Sequence, residues 1–292
     1  MTELVTIGSA ALTAAISPLG AELTHLRDAD GRELMTDADP AFWTGHAPIL
    51  FPVVGMPYGE TIRIDGRSYP MKKHGFARHA VFTLTDHDAD RAVFTLTADA
   101  ETRRSYPFDF TLSIAYRITG ATLGIEATIA NHDSDRPMPA SFGFHPAFAW
   151  PLPYGEDRAD HRILFDADEP DALRTIAADG TIAEARKPSP LQGRELVLRD
   201  ALFAHDALVW DDIRSSAVTY GAATGPHLRI AFADTPMLGI WTKPGAAYVC
   251  VEPWHGIADP EGYTGDFRDK PGVFEVPAGG ETRIGMSVTL EQ

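Results

Sequence analysis

Hydrophobic and polar positions alternate along the chain in short runs, a pattern typical of β-strands. Residues 81–85 and 93–97 both read Val-Phe-Thr-Leu-Thr and flank a polar turn at residues 86–91. They therefore predict a β-hairpin. Residues 108–116 alternate equally strongly and, after a Thr-Gly-Ala-Thr turn, are expected to pair with residues 123–129.

Further strands are predicted from shorter runs of the same kind, at residues 12–16, 22–28, 162–165, 217–220, 228–233, 247–252 and 283–290. Long amphipathic helix patterns are nearly absent, and only short helical turns are expected, at residues 40–43 and 200–205. Residues 151–156 and 178–193 are predicted to be long loops. No low-complexity linker divides the chain, so residues 1–292 are predicted to form a single all-β domain, a sandwich or a barrel.

Composition and charge narrow the class of protein. Of the 292 residues 44% are hydrophobic and 23% charged, as in ordinary globular proteins. The formal net charge of -16 argues against nucleic acid and anionic membranes as partners. The single cysteine, Cys250, excludes an intrachain disulfide. Because the N-terminus lacks a basic segment followed by an apolar one, no signal peptide or membrane span is expected, and a cytoplasmic enzyme is predicted.

The segment from Tyr248 to Gly256 carries the strongest chemical signal. Alternation places Tyr248, Cys250 and Glu252 on one face of a strand, which Pro253 is expected to end because it has no N–H. Partial burial among aromatic residues would raise the pKa of Glu252 towards neutrality, which suits a general acid or base. On composition alone, a solvated glutamate at a strand end would be more common.

Two histidines stand in comparable places. His145 follows the apolar Ser-Phe-Gly-Phe run and precedes Pro146, which favours extended backbone before it. His74 precedes Gly75, a residue that permits a sharp turn or a close backbone approach. Either histidine alone would more often be structural. Three such strand-end positions in one β-rich chain favour a functional site.

Competing motifs are weak, and neither a metal nor a cofactor is predicted. The chain has no Gly-x-Gly-x-x-Gly, Walker A, His-Glu-x-x-His or Gly-x-Ser-x-Gly motif. The acidic run from Asp86 has Arg91 where a calcium loop needs glycine, so it is interpreted as a turn. Lys72, Lys73 and Lys243 could form Schiff bases with a sugar aldehyde, but their neighbours do not indicate a lowered pKa.

Several motifs in a specific order resemble those of the aldose 1-epimerases (the galactose mutarotase superfamily), most closely the LacX-like branch. They are Pro18-Leu19-Gly20-Ala21-Glu22-Leu23, Ala47-Pro48-Ile49-Leu50-Phe51-Pro52-Val53-Val54-Gly55, His74-Gly75-Phe76-Ala77-Arg78, Gly143-Phe144-His145-Pro146-Ala147-Phe148, Asp206-Ala207-Leu208-Val209 and Cys250-Val251-Glu252-Pro253-Trp254-His255-Gly256. The resemblance implies a large antiparallel β-supersandwich with a sugar site on its concave face. It also implies cofactor-independent interconversion of the α and β anomers of a small-molecule sugar, by a monomer or a homodimer.

Residue by residue, the resemblance makes Glu252 the general base and His145 the general acid. His74 resembles the second pocket histidine, which hydrogen-bonds a sugar oxygen. Mutarotation needs one group to take the proton of the C1 hydroxyl and another to protonate the ring oxygen. A glutamate and a histidine suffice, because both can be tuned near neutral pH.

Three further residues are candidates for substrate binding. Asp206 resembles the carboxylate that binds sugar hydroxyls, although a surface aspartate before a strand is an equal alternative without the resemblance. Arg78 could orient a pocket carboxylate or contact substrate, or be a surface arginine. Trp241 could stack on a sugar face or belong to the core.

The chain also departs from the family pattern. Many relatives carry Gly-Arg where this chain has Gly55-Met56, so one polar contact is missing or is supplied by Arg78 or Arg63. Relatives that act on hexose 6-phosphates share His-Gly-Phe-Ala-Arg but usually also carry Arg-Gly-Gly, where this chain has Thr-Gly-His at residues 44–46. A free aldose is therefore predicted as substrate. The alternatives are a hexose-6-phosphate 1-epimerase and a non-catalytic carbohydrate-binding protein.

Overall fold

A computed structural model describes residues 3–292; Met1 and Thr2, part of the N-terminus where no targeting segment is expected, lie outside the described residues. The described chain is built from antiparallel strands joined by turns. In chain order the strands are β1 Val5–Gly8, β2 Leu12–Ser17, β3 Glu22–Asp28, β4 Ile49–Leu50, β5 Thr61–Ile64, β6 Arg67–Pro70, β7 Thr83–His87, β8 Arg91–Thr97, β9 Phe110–Thr119, β10 Thr122–Asn131, β11 Met138–Ala140, β12 Phe142–Phe144, β13 Ala147–Ala149, β14 Arg162–Phe165, β15 Leu173–Ile176, β16 Ile182–Lys187, β17 Glu195–Val197, β18 Leu208–Trp210, β19 Ala217–Gly221, β20 His227–Ala231, β21 Met237–Trp241, β22 Tyr248–His255, β23 Phe274–Val276 and β24 Glu281–Glu291.

Helical structure is confined to single turns. One short α-helix, α1, spans Thr102–Ser105, and 3₁₀ turns occur at Tyr58–Glu60, Ala77–His79, Arg158–Asp160, Asp200–Phe203 and Phe267–Asp269. Among residues 3–292, no helix is long and apolar enough to cross a membrane.

Two large sheets organise the fold. A nine-stranded sheet has the order β17-β14-β19-β20-β24-β10-β9-β8-β7, and an eight-stranded sheet has the order β16-β15-β18-β21-β22-β12-β4, with β13 also paired to β22. Smaller sheets of two or three strands complete the fold. One hydrophobic cluster contains buried residues of both large sheets, such as Phe94 and Ile129 from one and Ile240 and Val251 from the other. The core therefore lies between the sheets, and the fold is the predicted all-β antiparallel supersandwich.

Every strand predicted from the sequence overlaps an observed one. The predicted hairpin is β7–β8, with Leu84 opposite Phe94, and residues 108–129 form the pair β9–β10. The expected helical turn at residues 200–205 is the 3₁₀ turn Asp200–Phe203, whereas residues 40–43 form a hydrogen-bonded turn in which the N–H of Trp43 donates to Asp39 O.

Two expectations about strand limits were wrong. The predicted loop at residues 178–193 contains β16, which the sequence pattern does not reveal because half of its six side chains are charged and the strand lies at the sheet edge. Strand β22 continues through Pro253 to His255. The N–H of Val251 donates to Pro146 O, and the nitrogen of Pro253, two residues on, points to the same side. That side is the break between β12 and β13, where a missing N–H costs no ladder hydrogen bond.

Candidate active site

The predicted alternation of side chains along strand β22 places Glu252 in the lining of a cavity. Val249 and Val251 pack into the core between the sheets, whereas Tyr248 and Cys250 belong to a separate cluster on the other face. Glu252 lies on that second face and is only 1% exposed. Burial is the main influence on its carboxyl group and raises the pKa well above the usual range, although Lys73 and Arg78 act in the opposite direction.

His145 lies in the break between β12 and β13, both of which pair with β22. Its Nε2 is 3.1 Å from Oε2 of Glu252. Burial lowers the pKa of His145 to about 3. Within the described residues, Oε2 of Glu252 has no hydrogen-bond partner, so its short contact with Nε2 of His145 is not an aligned hydrogen bond. Nδ1 of His145 also has no partner among these residues. The two groups are adjacent, desolvated and free to exchange protons with a ligand.

A tight loop holds His74 beside this pair. His74 has φ +66, its N–H donates to Gly55 O, and its Nδ1 accepts from Gly55 N–H at 3.1 Å. A neutral His74 therefore carries its proton on Nε2. Gly75 is required next to it, because a Cβ there would lie 2.1 Å from Phe51 O. The His74 and His145 rings are 5.8 Å apart, and burial lowers the pKa of His74 well below its usual value.

Two cationic side chains line the same cavity. Arg78, on the 3₁₀ turn Ala77–His79, is half-buried, and burial lowers the pKa of its guanidinium. Lys73 is exposed at the rim. Among residues 3–292, neither side chain has an ion-pair or hydrogen-bond partner. Both are available to a ligand, and the sequence indicated Lys73 only as a weak Schiff-base candidate.

The remaining predicted residues lie on the same cavity wall or rim. Asp206 is exposed, has φ +75, and accepts the N–H of Ala207 through Oδ1 at 2.7 Å. Trp241, at the end of β21, is half-buried, and its ring lies 6.0 Å from that of His145. The cavity has a volume of about 320 Å³ and brings together all six predicted residues, Lys73 and a set of tryptophan and aliphatic side chains.

Two lining tryptophans were missed by the sequence analysis. Trp43 lies 5.0 Å from the His145 ring at an angle of 32°, and its indole packs so closely on Gly45 that a Cβ there would be 2.4 Å away. The indole of Trp254 lies against Gly143 and Gly239 on the neighbouring strands, where added Cβ atoms would be 2.6 and 2.5 Å from it. Glycines in otherwise apolar strands were the available signal, because they indicate that a ring or backbone approaches closely.

A third side chain stands beside the acid–base pair. Ligand atoms of His145, Cys250 and Glu252 lie within 4.8 Å of one another, so this trio offers a nitrogen, a sulfur and an oxygen to an ion. Metal binding requires a deprotonated thiol and carboxyl, and burial raises the pKa of both Cys250 and Glu252. The donor set is therefore better suited to proton transfer than to holding a cation.

Comparisons with known proteins agree with this architecture. The sequence profile of the family Aldose 1-epimerase matches residues 3–261. The chain is 31% identical over 274 residues to the chromosomal protein LacX of Lactococcus lactis subsp. lactis, covering 91% of this chain and 92% of that protein.

Two solved structures have the same fold over almost the whole chain. A galactose mutarotase related enzyme from Lactobacillus acidophilus has a TM-score of 0.90 and 31% identity, covering 99% of this chain and 98% of that one. A galactose mutarotase-like protein from Lactobacillus casei has a TM-score of 0.91 and 29% identity, covering 99% and 100%. The fold is galactose mutarotase-like, and the chain belongs to the aldose 1-epimerase family, in its LacX-like branch.

Proposed function

We propose that the protein is an aldose 1-epimerase, an isomerase that interconverts the α and β anomers of a free aldose without a cofactor. The observation that carries this proposal is the contact between Nε2 of His145 and Oε2 of Glu252, 3.1 Å long, inside a sugar-sized cavity. The hydroxyl oxygen and the ring oxygen of a hemiacetal are both bonded to C1. The acid and the base must therefore converge on neighbouring atoms, and an adjacent pair meets that requirement.

The pair returns to its starting protonation state after one turnover. Glu252 as carboxylate takes the proton of the C1 hydroxyl while protonated His145 gives its proton to the ring oxygen. The C1–O bond of the ring breaks, and the aldehyde rotates about C1–C2. The same two protons then return in reverse to close the ring on the other face. The pair holds one proton throughout, either as carboxylate and imidazolium or as carboxylic acid and imidazole.

Burial of both groups supports this scheme. It favours the neutral arrangement, since the pKa of Glu252 is raised and that of His145 is lowered. Carboxylic acid with imidazole holds the same number of protons as carboxylate with imidazolium. A bound sugar therefore only has to shift one proton between Glu252 and His145. Either group can then serve as acid or base in the two directions of the reaction.

The other lining residues fit substrate binding. His74 offers Nε2–H, Arg78 offers an unpaired guanidinium and Asp206 offers a carboxylate to sugar hydroxyls. The faces of Trp43, Trp241 and Trp254 provide surfaces for the C–H groups of a sugar ring.

A hexose-6-phosphate 1-epimerase is the second candidate, because Arg78 and Lys73 line the cavity without anionic partners among the described residues. A non-catalytic sugar-binding protein is the third. It has no need of a buried glutamate and histidine whose atoms lack structural hydrogen bonds.

The test is anomer exchange measured by polarimetry and by NMR exchange spectroscopy on free aldoses and their 6-phosphates, each rate divided by the spontaneous rate. We expect acceleration with free aldoses and a higher kcat/KM than with the 6-phosphates. Preference for a 6-phosphate would assign the second candidate. Sugar binding without acceleration of any substrate would assign the third.

A further inference from the structure

One side of the cavity is aliphatic. We call it the apolar wall: Ile176, Ile182, Val209, Ile257 and Ala258, all of which line the cavity. These residues belong to one hydrophobic cluster with Trp254, distinct from the core between the large sheets. Apart from Ile176, which is half-buried, every wall residue is buried.

Strand register fixes where the wall stands relative to the chemistry. Glu252 of β22 is opposite Gly239 of β21, which in turn is opposite Val209 of β18. With about 4.8 Å between neighbouring strands, Val209 lies about 10 Å from Glu252 along the sheet. Between them the Trp254 indole covers Gly239. A hexose bound with C1 at Glu252 and its exocyclic C6 directed towards Val209 extends over Trp254 to the wall.

Part of the backbone at the wall is already hydrogen-bonded. The N–H of Ile182 donates to Asp259 O, and Ile182 O accepts the N–H of Glu261. The N–H of Asp259 donates to Met56 O. These polar groups are used within the protein, and they tie the segment after β22 to β16 and to the loop at Met56.

Side chains behind the wall are also apolar or already engaged. Met56 packs on Gly180, where an added Cβ would lie 3.3 Å from its own Cβ. Asp259 is directed to Lys270, whose Nζ is 2.9 Å from Oδ1, and both are buried. Asp206, three residues before Val209, stands at the exposed rim beside Ala207. The side chains that form the wall therefore offer no hydrogen-bonding group of their own.

We propose that this wall makes the site selective for 6-deoxyhexoses, aldoses that carry a methyl group in place of the exocyclic hydroxymethyl group. The inference rests on the proposed function and specifies its substrate class. A methyl group loses no hydrogen bond to water when it packs against aliphatic side chains. A hydroxyl group in the same place is desolvated without a partner.

The expected preference is moderate. Hydrophobic pockets discriminate against an added hydroxyl group by roughly 10-fold to 100-fold in kcat/KM. We therefore expect kcat/KM for 6-deoxy-D-galactose to exceed that for D-galactose by about 10-fold or more, and the same for 6-deoxy-D-glucose over D-glucose. Each rate is divided by the spontaneous mutarotation rate of that sugar.

The Val209→Thr variant tests the wall directly, because it keeps the shape and adds one hydroxyl group. We expect it to lower, several-fold, the ratio of kcat/KM for a 6-deoxyhexose to kcat/KM for the corresponding hexose. The matched control is Val218→Thr, buried in the core on β19, which should leave the ratio unchanged. Ile176→Thr, at a half-buried position, provides a second wall variant if Val209→Thr does not fold.

The outcomes separate this inference from the function on which it rests. Equal normalised kcat/KM within each sugar pair, or preference for the hydroxylated sugar, overturns the inference and leaves mutarotation intact. Failure to accelerate any free aldose overturns the proposed function itself. A ratio that falls equally in Val209→Thr and Val218→Thr also counts against the wall as the source of selectivity.

Discussion

Two buried acid–base pairs lie close to the same cavity, and they are held in opposite ways. Glu252 and His145 are 1% and 7% exposed, with Oε2 and Nε2 3.1 Å apart. Asp259 and Lys270 are 3% and 2% exposed, with Oδ1 and Nζ 2.9 Å apart. Burial raises the pKa of Glu252 and lowers the pKa of His145, and it lowers the pKa of Lys270 against the opposing effect of Asp259.

The difference lies in what else each carboxylate does. Oδ2 of Asp259 accepts the N–H of Tyr58 at 2.9 Å, and the backbone of Asp259 bonds to Met56 and Ile182. Oε2 of Glu252 and Oδ1 of Asp259, which face His145 and Lys270, both lack a hydrogen-bond partner among the described residues. Within those residues, however, Glu252 has no counterpart to the bond that Tyr58 donates to Asp259. A buried pair tied into the backbone holds two segments together. A buried pair without such ties has its protons available for a substrate.

We call Asp259 and Lys270 the tied pair, and Glu252 and His145 the untied pair. The largest expected effect is the loss of turnover when one member of the untied pair is replaced. Glu252→Gln keeps the shape and removes the proposed base, and His145→Asn removes the proposed proton donor. Each should lower kcat by about 10²–10⁴-fold, equivalent to about 3–5 kcal/mol of transition-state stabilisation. Sugar affinity should change much less, because His74 and Asp206 remain. Polarimetry measures turnover and calorimetry measures binding.

Exposed residues of the same types provide the controls for this prediction. Glu184→Gln and His205→Asn lie at exposed positions and should leave kcat unchanged. Near wild-type anomer exchange by Glu252→Gln would show that Glu252 is not the base. The untied pair would then not act as the proposed acid and base.

Breaking the tied pair should instead reduce stability. Lys270→Met leaves the Asp259 carboxylate buried without its cation, which typically costs about 3–5 kcal/mol. Denaturant unfolding measures this loss. The folded fraction should keep kcat within a few-fold of wild type, because Lys270 is not among the cavity-lining residues. A stability close to wild type together with a large loss of kcat would reverse the assignment of the two pairs.

The pair of Glu252 and His145 was predicted from the sequence, whereas Asp259 and Lys270 were not, and the signals for the first pair are local. Glu252, His145 and His74 each stand where an apolar run meets a proline or glycine, and such signals need only neighbouring residues. The alternation of residues 248–252 also predicted which side chains of β22 share a face. Local patterns therefore indicated the fold and three of the residues that line the cavity.

Features that depend on distant pairing could not be predicted in this way. Strand β22 passes through Pro253 only because β12 and β13 leave a break beside it. The wall residues Ile176 and Ile182 lie on short strands with little alternation. Trp43 lies in a turn, and its place beside His145 depends on packing between segments about 100 residues apart.

A smaller effect is expected when both members of the tied pair are replaced. Asp259→Asn with Lys270→Met removes both charges, and the asparagine oxygen can still accept the N–H of Tyr58. Replacing a buried pair by neutral groups is often close to neutral in stability, so most of the loss in Lys270→Met should be recovered, to within about 1 kcal/mol. A double-mutant cycle of unfolding free energies measures the coupling. Additive losses would mean that the two charges do not stabilise one another.

The smallest expected effect is the pH dependence of stability caused by the untied glutamate. The folded-state pKa of Glu252 is raised above its ordinary value of 4.5. Below that value the group is protonated in both the folded and the unfolded state. As the pH rises from 4.5 through the raised folded pKa, the unfolded state loses its proton first, so the wild type loses stability. The Glu252→Gln variant escapes this loss, because its side-chain amide does not titrate.

The melting temperature of Glu252→Gln minus that of wild type should therefore be greater at about pH 8.5 than at about pH 5. His145, with a pKa lowered to about 3, costs stability as the pH falls below its ordinary value of 6.5, and it does so in both proteins. Glu184→Gln, at an exposed position, is the matched control and should show no such trend. A difference that shrinks as the pH rises would mean that Glu252 is stabilised as a carboxylate. It would then be a tied group like Asp259, and the distinction between the two pairs would fail.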